Sequence, residues 1–320
     1  MSETTVLVVA SLNADHIVQA PRIPSPGETI MGHALLRELG GKGGNQAIAA
    51  ARLGAPTAVV ASVGTDDDGD DYLAALRADG IDTSHVSQLA NFATGRASIT
   101  VDDDGTNSIV VIGGANEAVP EESVSQAFTD YRGMRVVVGQ MEASVSATAT
   151  AFRLARKLGI LTLLNTAPAT DRVPELLPWT DIVVANEIEF KQITGHDSDC
   201  EDCLRQGAQT LINAGVRWVV VTAGEEGSTV LDGCSLIRVP AEQVTAVDTT
   251  AAGDAFVGAV AAHLAGTESA DQNGAGLADF ASTGSLVQAC RTASRVAALV
   301  VTRRGAHPSL PALNEIRALY

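Results

Sequence analysis

The chain has 320 residues, 46% of them hydrophobic, and its formal net charge at pH 7 is −17. This length and composition predict a globular protein with a sizeable core, in one large α/β domain or two smaller ones. The negative charge disfavours a polyanionic partner such as DNA or RNA, and no apolar run is long enough to span a membrane. A small anionic ligand is not excluded, because a metal ion and local N–H groups determine the charge of a small site.

The N-terminus and the cysteines favour a protein of the cytoplasm. Met1–Thr5 contains no cationic region, so Val6–Ala10 is interpreted as a buried first strand and not as a secretory signal. The four cysteines are too few for a disulfide framework in a chain of this length. Cys200 and Cys203 have Cys-x-x-Cys spacing, but a structural zinc site needs a second pair, and the neighbouring acids disfavour reactive thiolates. We therefore disfavour a metal or redox function for this pair.

The first third of the chain combines short strands with a helix. Between Ile17 and Leu39 the chain is rich in proline, which excludes a long helix and predicts short strands joined by turns. Ala58–Gly64 is predicted as a further strand. The acidic run Asp66–Asp71 lacks the glycine and glutamate positions of an EF-hand loop. It is therefore predicted to be the solvated start of a helix that ends at Gly80.

The remaining strands follow two patterns. A β-hairpin is predicted where the turn Asp102–Gly105 separates the runs Ala97–Val101 and Asn107–Ile112. From about Arg135 the strands alternate with helical segments, which predicts a mostly parallel, doubly wound sheet with helices on both faces. The predicted strands of this part are Val136–Glu142, Ile160–Pro168, Asp181–Glu189 and Trp218–Gly224. Polar residues at their carboxyl ends are expected to form one composite site.

The stretch from Val247 to Phe256 predicts an anion site at the start of a helix. Its small residues lead into an Ala-rich segment with helical spacing, so the N–H groups of Ala251 to Asp254 open the helix. Unpaired amides and the positive helix end attract a phosphate, and Asp254 places a carboxylate in the first turn. This arrangement suits phosphoryl transfer to a hydroxyl, with the carboxylate as the base. An ordinary loop into a core helix is an equally good interpretation of this stretch alone.

Two N-terminal segments carry groups suited to a ligand with several hydroxyls. Asn13 and Asp15 follow the first strand, where open α/β sheets collect their ligands. In the run Gly40–Asn45, four glycines surround Lys42 and permit close approach of a ligand to the backbone. This run is not a P-loop, because it lacks the Ser or Thr after the lysine. A turn at the first segment and a flexible hinge at the second are the alternatives that need no ligand.

These stretches resemble the signatures of the ribokinase-like (PfkB) carbohydrate kinases. The nine residues at 248–256 resemble the C-terminal signature, Gly41–Asn45 the N-terminal one, and Val300–Ser309 the end of the family's chains. Asn13–His16 and the Gly-Ala-Asn segment at 114–116 also match, although Ala10 stands where the family usually has glycine. The resemblance implies one kinase domain over residues 1–320, with a three-layer, doubly wound, mostly parallel sheet and a small β-sheet lid. The lid is expected at about residues 15–39 and 95–113, with a homodimer formed through it.

The resemblance also implies the ligands of each site residue. The expected catalytic groups are Asp254 as base and the amides of Ala251, Ala252 and Gly253. The residues expected to contact the sugar are Asn13, Asp15, Gly41, Lys42, Gly43, Gly44, Asn45, Glu142 and Asp254. The residues expected to contact ATP are Asn186, Thr222, Ala223, Gly224, Glu225, Glu226, Gly227, Gly253, Asp254 and Ser294. Glu189 is expected to hold Mg²⁺ through water, and the expected K⁺ ligands are Asp248, Thr250, Val300, Arg303, Gly305 and Ser309.

Three of these assignments have local alternatives. The motif from Asn186 to Glu189 also fits a helix cap, the segment from Thr222 to Gly227 a hairpin turn, and Glu142 a solvated residue after a strand.

The implied reaction is ATP-dependent phosphorylation of the 5-hydroxyl of D-ribose, with no large rise in the pKa of Asp254 required. A related kinase for 2-deoxyribose, another sugar or a nucleoside is the first alternative, because one hydroxyl can switch the preference. A non-catalytic sugar or nucleotide sensor is the second, which the joint presence of Gly253, Asp254 and Glu189 disfavours. The stretch between His263 and Val287 is longer than the family pattern, and a surface loop is predicted at 266–274.

Overall fold

The computed structural model describes residues 4–266 and 282–317, so all of the predicted surface loop after Gly266 lies outside the described residues. The strands are β1 Val6–Val9, β2 Asn13–Gln19, β3 Ala34–Gly40, β4 Thr57–Gly64, β5 Asp82–Leu89, β6 Gly95–Val101, β7 Asn107–Ile112, β8 Val136–Gln140, β9 Leu161–Asn165, β10 Ile182–Asn186, β11 Trp218–Thr222, β12 Ser228–Leu231 and β13 Leu236–Val239. The helices are α1 Lys42–Arg52, α2 Asp67–Ala78, α3 Glu121–Asp130, α4 Val145–Lys157, α5 Glu187–Thr194, α6 Glu201–Asn213, α7 Ala252–Gly266, α8 Thr283–Val300 and α9 Leu313–Arg317.

Nine strands form a large sheet in the order β13-β12-β11-β10-β9-β8-β1-β4-β5. The pairs from β11 through β5 are parallel, and β12 and β13 add an antiparallel edge. The apolar runs predicted this arrangement, because a parallel strand is covered on both faces and therefore has no polar alternation. All four residues of β1 are buried, for example. The predicted mostly parallel α/β fold is confirmed.

The two faces of the large sheet bury separate hydrophobic clusters. Val6 and Val8 of β1 belong to one cluster, with α1, α7 and α8, whereas Leu7 and Val9 belong to the other, with α3, α4 and α6. This alternation follows from the two-residue period of a strand. The result is a layer of helices on each side of the sheet, as predicted.

Helices α1 and α7 cross very closely at Gly258. A Cβ at this glycine would lie 2.5 Å from the backbone oxygen of Gln46 and 2.6 Å from the Cβ of Ala49. Only glycine therefore permits this approach of the two backbones. The crossing places Asn45 and Gln46 of α1 within hydrogen-bonding distance of Asp254 in α7.

A separate small sheet has the strand order β3-β2-β6-β7, and its β6–β7 pair is the predicted hairpin. Its strand β2 begins at Asn13, so Asn13 and Asp15 lie within a strand and not in a turn after β1. Every residue of β7 is exposed, including Ile109, Val110 and Val111, and Leu35 of β3 is 67% exposed. The small sheet thus presents apolar side chains to solvent.

One acid of α2 joins the small sheet to the rest of the protein. The predicted acidic helix start is correct, with Asp66 as N-cap accepting from the Gly69 N–H at 3.0 Å. However, Asp68 is not solvated: it is 3% exposed. It forms ion pairs with Arg37 of β3 and with Arg96 of β6. The sequence could not reveal these partners, because they come from distant strands.

Two further findings concern the predicted location of the protein in the cell. The sulfurs of Cys200 and Cys203 are bonded to each other in the structure, a pairing that the sequence analysis did not predict. Cys200 also caps α6 by accepting from the Cys203 N–H at 3.1 Å. Among residues 4–266 and 282–317, no helix combines the length and apolar character needed to cross a membrane.

Candidate active site

The predicted anion site lies at the start of α7. Ala251 has a φ of 60°, an unusual conformation for a residue with a Cβ, and its carbonyl accepts from the Ala255 N–H at 2.8 Å. The Ala252 N–H is already used, because it donates to the Thr249 carbonyl at 3.2 Å. A Cβ at Gly253 would meet nothing within 4 Å, so the helix end is open at this residue. The N–H groups of Gly253 and Asp254 are therefore the helix-end donors with room for an anion.

The Asp254 carboxylate lies inside the site and accepts hydrogen bonds on both oxygens. Its Oδ2 accepts from Asn45 Nδ2 at 2.8 Å, and its Oδ1 accepts from Gln46 Nε2 at 3.1 Å. Burial raises the pKa of Asp254, and the charge of Glu142 adds to this rise, while Lys42 and the two amides oppose it. The sequence contained no sign of this burial, so an ordinary pKa was the natural expectation. The carboxylate is positioned to accept a proton from a hydroxyl bound beside it.

Behind Asp254, buried side-chain amides form a chain that the sequence analysis missed. Gln46 Nε2 also donates to Asn165 Oδ1 at 3.0 Å, and Gln140 Nε2 donates to Gln46 Oε1 at 2.9 Å. Gln46, Gln140 and Asn165 are all less than 9% exposed. The available signal was that Gln46 follows Asn45 on one helix, and that Gln140 and Asn165 end neighbouring strands.

Glu142 holds the N-terminus of α1. Its Oε2 accepts from the Lys42 N–H at 3.0 Å and from Ser11 Oγ at 2.9 Å, and Ser11 Oγ accepts from the Gly43 N–H at 3.0 Å. Glu142 is therefore not simply a solvated residue after β8, and Ser11 is a second site residue that the sequence analysis missed. These contacts place a carboxylate at the positive end of a helix, where it is stabilised.

The glycines before and within α1 have different roles. Gly41 has a φ of 86°, which favours glycine, and it precedes the helix. Gly43 and Gly44 lie inside α1, where a Cβ would collide with Ala10 and with the Tyr72 hydroxyl respectively. They permit close packing of the helix against its neighbours.

Strand β2 brings Asn13 and Asp15 to the same site. Asn13 Oδ1 accepts from Asn116 Nδ2 at 2.7 Å, and Asn116 Oδ1 accepts from the Leu12 N–H at 2.8 Å. Burial raises the pKa of Asp15 to about 7, with further contributions from Glu142, Glu38 and Asp254 that Lys42 partly offsets. The site thus concentrates acidic groups around one cation.

Lys42 is the counterpart of these acids. Burial lowers the pKa of its ammonium group, but the charges of Asp254, Glu142, Glu189 and Asp15 outweigh burial and leave the pKa raised. Lys42 is therefore charged, and it lies near the acids of β2, α5 and α7 at once.

A cleft of ≈ 420 Å³ lies on the other side of the α7 N-terminus. Of the residues expected to contact ATP, those lining it are Thr222, Gly224, Glu225, Gly227, Gly253 and Ser294. Ala223, Glu226, Asn186 and Asp254 do not line it. The segment from Ala241 to Ala246 and three positions of α8 and its end, Ala297, Ala298 and Val301, also contribute, and the sequence analysis missed them. Thr222 to Gly227 connects two antiparallel strands, as the hairpin alternative predicted.

This cleft suits a nucleotide. Its volume falls within the range of about 300–1,000 Å³ typical of small-molecule sites. Gly227 has a φ of 94°, and a Cβ there would collide with the Val239 carbonyl. Gly224 and Gly227 line the cleft without side chains, so a flat, anionic ligand can approach the backbone closely there.

Hydrogen bonds join three of the predicted K⁺ ligands, Asp248, Thr250 and Gly305. Asp248 Oδ1 accepts from the Thr250 N–H at 2.9 Å and from its hydroxyl at 2.6 Å, and Oδ2 accepts from the Gly305 N–H at 2.9 Å. Burial works against ionisation of Asp248, but these hydrogen bonds and the charge of Arg304 leave its pKa lowered. An ionised carboxylate is an oxygen ligand that suits a hard monovalent cation.

The other predicted metal ligands have protein partners of their own. The Val300 carbonyl accepts from the Arg303 N–H at 3.0 Å. Ser309 Oγ donates to the Ala306 carbonyl at 2.7 Å. Glu189 and Asn186 form a capping box on α5, as the helix-cap alternative predicted. In the capping box Glu189 Oε2 accepts from the Asn186 N–H at 3.0 Å.

Comparison with known proteins agrees with this geometry. Residues 3–313 match the pfkB family carbohydrate kinase profile. The chain is 40% identical over 263 residues to the ribokinase of Mus musculus, covering 81% of each chain, and 35% identical over 312 residues to that of Staphylococcus aureus strain COL, covering 97% of this chain and 98% of the relative.

Among solved structures, Arabidopsis thaliana ribokinase complexed with ribose and ATP superposes with a TM-score of 0.85 at 30% identity, covering 99% of both chains. The match to the family profile spans nearly the whole sequence, and these relatives align over most or all of it. The chain therefore belongs to the pfkB family of carbohydrate kinases.

Proposed function

We propose that this protein is a ribokinase, which transfers the γ-phosphoryl group of ATP to the 5-hydroxyl of D-ribose. The observation that supports it most is the placement of the Asp254 carboxylate at the open N-terminus of α7. On one side of this helix end lies the cleft of ≈ 420 Å³, and on the other lie the polar residues of β2 and α1. The names of the ribokinase relatives support the choice of sugar.

In this mechanism Asp254 accepts the proton of the 5-hydroxyl as the new P–O bond to the γ-phosphorus forms, and the bond from the γ-phosphorus to the β-phosphate oxygen breaks to release ADP. The N–H groups of Gly253 and Asp254 stabilise the charge on the transferred group. The helix end is preformed, so the site needs little reorganisation during the reaction. Positioning and charge stabilisation account for most of the rate enhancement in phosphoryl transfer.

On the sugar side, carboxylates and amides orient the hydroxyls. Asn13, Asp15, Asn45 and Glu142 supply side-chain groups, and Gly41 to Gly44 supply backbone around Lys42. Asn45 Oδ1 is buried, and no described residue donates a hydrogen bond to it. A sugar hydroxyl supplies the missing donor.

On the nucleotide side, the loop from Thr222 to Gly227 and Ser294 contact ATP, with Asn186 near its phosphates. Glu189 would hold Mg²⁺ through water, and this ion would supply positive charge beside the phosphates. The residues that would hold K⁺ are Asp248, Thr250, Val300, Arg303, Gly305 and Ser309, and this ion would supply positive charge near the start of α7.

We also propose a homodimer formed through the small sheet, in which its exposed apolar side chains become buried. Leu35 and Val110 lie on one face of this sheet and Ile109 and Val111 on the other, and all four are more than half exposed. Exposed apolar side chains grouped in this way are typical of a protein–protein interface. Light scattering of Val110→Asp beside the parent protein tests this, with a monomer expected for the variant only. A cytoplasmic location stays a prediction, and the bonded sulfurs of Cys200 and Cys203 do not add to its support.

A coupled ADP-release assay against a panel of sugars, with and without K⁺, tests the function. We expect the highest kcat/KM with D-ribose and stimulation by K⁺. A preference for 2-deoxyribose, another sugar or a nucleoside would replace the substrate but keep the mechanism. Binding of sugar and ATP without ADP release would support the sensor alternative.

A further inference from the structure

Building on the proposed kinase reaction, we infer that Gln46 is a positioning residue for Asp254. It holds the reacting carboxylate from inside the core, and Gln140 and Asn165 hold Gln46 in turn. None of the three residues has a role in the function proposed above.

The contacts of Gln46 use all of its amide's hydrogen-bonding groups except one lone pair. Of the two N–H groups of Nε2, one points to Asp254 Oδ1 at 3.1 Å and the other to Asn165 Oδ1 at 3.0 Å. Its Oε1 accepts from Gln140 Nε2 at 2.9 Å. Asn165 is itself oriented, because its Nδ2 donates to the Val184 carbonyl at 3.2 Å.

This pattern fixes which way the Gln46 amide points. A flipped amide would place Oε1 against the oxygens of Asp254 and Asn165, and Nε2 against Gln140 Nε2, so that all three contacts would pair like with like. Gln46 is 1% exposed, and Gln140 is fully buried, so water is not at hand to replace a lost partner. The donor therefore faces Asp254.

Two amide donors hold Asp254 without blocking it. Gln46 binds Oδ1 and Asn45 binds Oδ2, which leaves a further lone pair on each oxygen. A substrate hydroxyl can use one of these. Because χ rotation of Asp254 would break both contacts, the carboxylate stays aimed at the same point.

The amides also favour the ionised form of Asp254, which a base requires. The charged and titratable groups around it come from several elements: Lys42 of α1, Glu142 after β8, Asp15 of β2 and Tyr72 of α2. Burial raises the pKa of Asp254, and the hydrogen bond from Gln46 is one of the contributions that lower it. Loss of this donor therefore raises the pKa and makes the base inactive up to a higher pH.

The test uses Gln46→Met, which keeps the volume of the side chain and removes its donors. We expect kcat for ribose to fall about 10- to 100-fold at pH 7, while KM for ribose and ATP changes less than about 3-fold. The acidic limb of the kcat profile should move to higher pH, so that the loss is larger at pH 6 than at pH 9. Gln140→Met, which acts only through Gln46, should move the limb in the same direction by less.

Thr162→Val is the matched control. Thr162 is a buried hydrogen-bonded residue of β9, the strand that also carries Asn165, but its hydroxyl contacts the Trp179 carbonyl and Asp181. It should lower the melting temperature without moving the acidic limb. If Gln46→Met behaves like Thr162→Val, or loses activity equally at every pH, Gln46 is only a structural residue and the inference is wrong.

A second measurement does not depend on turnover. Carbon-13 NMR of aspartate carboxyl groups follows the titration of Asp254, whose signal is identified by its absence in Asp254→Asn. The midpoint should rise in Gln46→Met and rise further in Gln46→Glu, which sets an acceptor against an acceptor. An unchanged midpoint would overturn the inference even in an active enzyme. The remaining outcome is that the parent protein phosphorylates no substrate while the midpoint of Asp254 still rises in Gln46→Met. In that case Gln46 does position Asp254, and only the proposed function fails.

Discussion

The two halves of the proposed active site are built in different ways. On the sugar side, the side chains of Asn13, Asn45 and Glu142 are each held by a hydrogen bond to another side chain of the protein. On the nucleotide side, the cleft is lined in part by residues without side chains, Gly224 and Gly227 of the loop before β12 and Gly253 of α7. We therefore expect sugar specificity to depend on fixed side-chain groups, and nucleotide binding to depend on the shape of the cleft and on access to the main chain.

The largest expected effect comes from the residue between the two halves. Asp254→Asn should lower kcat by about 10²- to 10⁴-fold, because the base is lost, while calorimetry should find nearly normal affinities for ribose and ATP. Asp181→Asn is the control, since it also removes a buried carboxylate but lies before β10, at the opposite end of the sheet. Retained turnover in Asp254→Asn would remove Asp254 from the mechanism.

On the sugar side, Asp15→Asn should raise KM for ribose about 10- to 100-fold, the effect of losing charge-assisted hydrogen bonds, and leave KM for ATP unchanged. Because the pKa of Asp15 is about 7, ribose affinity of the parent protein should increase as pH rises through 7. The variant should lose this dependence. Calorimetric titration with ribose between pH 5.5 and 8.5 measures both. A flat profile in the parent protein would show that Asp15 does not bind the sugar as a carboxylate.

The raised pKa of Asp15 also predicts how the stability of the protein changes with pH. The unliganded native state binds a proton at Asp15 that the unfolded state, with its ordinary pKa of 3.8, has already released. The contribution of Asp15 to the free energy of unfolding should therefore fall as pH rises from about 4 to 7. Urea unfolding of the parent protein and Asp15→Asn across this range tests the sign, and ribose is left out.

On the nucleotide side, substitutions at two glycines test whether ATP binding depends on the backbone shape of the loop or only on the absence of a side chain in the cleft. Gly227→Ala should raise KM for ATP about 10-fold, because its new Cβ collides with the Val239 carbonyl and the loop must move. At Gly224 the φ is 50° and the space is open, so Gly224→Ala should cost only a few-fold. Neither should change KM for ribose. Equal effects of the two would contradict a role for loop shape.

The smallest effect is expected at a side chain of the nucleotide cleft. Ser294→Ala should raise KM for ATP by about 2- to 3-fold, since one neutral hydrogen bond to a ligand contributes little. Initial rates over a range of ATP concentrations measure this. A loss larger than that of Gly227→Ala would reverse the comparison, because nucleotide binding would then depend on side chains too.

The sequence predicted most of the fold because burial leaves a local pattern. The apolar runs of β1, β8, β9, β10 and β11 are each buried on both faces, and the hairpin of β6 and β7 has a turn that only polar residues and glycine could form. Strand β5 was missed because it is only partly buried and alternates with polar residues such as Ser84 and Ser87. Its pairing with β4 supplies what its own residues do not indicate.

The site was predictable where a ligand-binding group lies in a recognisable segment, and not where a residue acts through another. Asp254, Asn45 and Glu142 fall in such segments. Ser11, Gln46 and Gln140 do not, because their roles depend on contacts across 32 to 208 positions of the chain. The solvated reading of Asp68 was wrong for the same reason, since Arg37 and Arg96 approach it from other strands.

The close crossing at Gly258 carries a lesson for anyone who would redesign this enzyme. Any bulkier residue at position 258 would push α1 away from α7 and so move the amides of Asn45 and Gln46 away from Asp254. Position 258 itself is buried within α7, beyond the N-terminal turn that carries Asp254. A mutant library that varies only ligand-lining positions would not include position 258. In a random-mutagenesis library, substitutions at this position would appear as inactive variants with no change near the ligands. The orientation of Asp254 therefore depends on how closely α1 and α7 pack, and this packing requires that residue 258 has no methyl group.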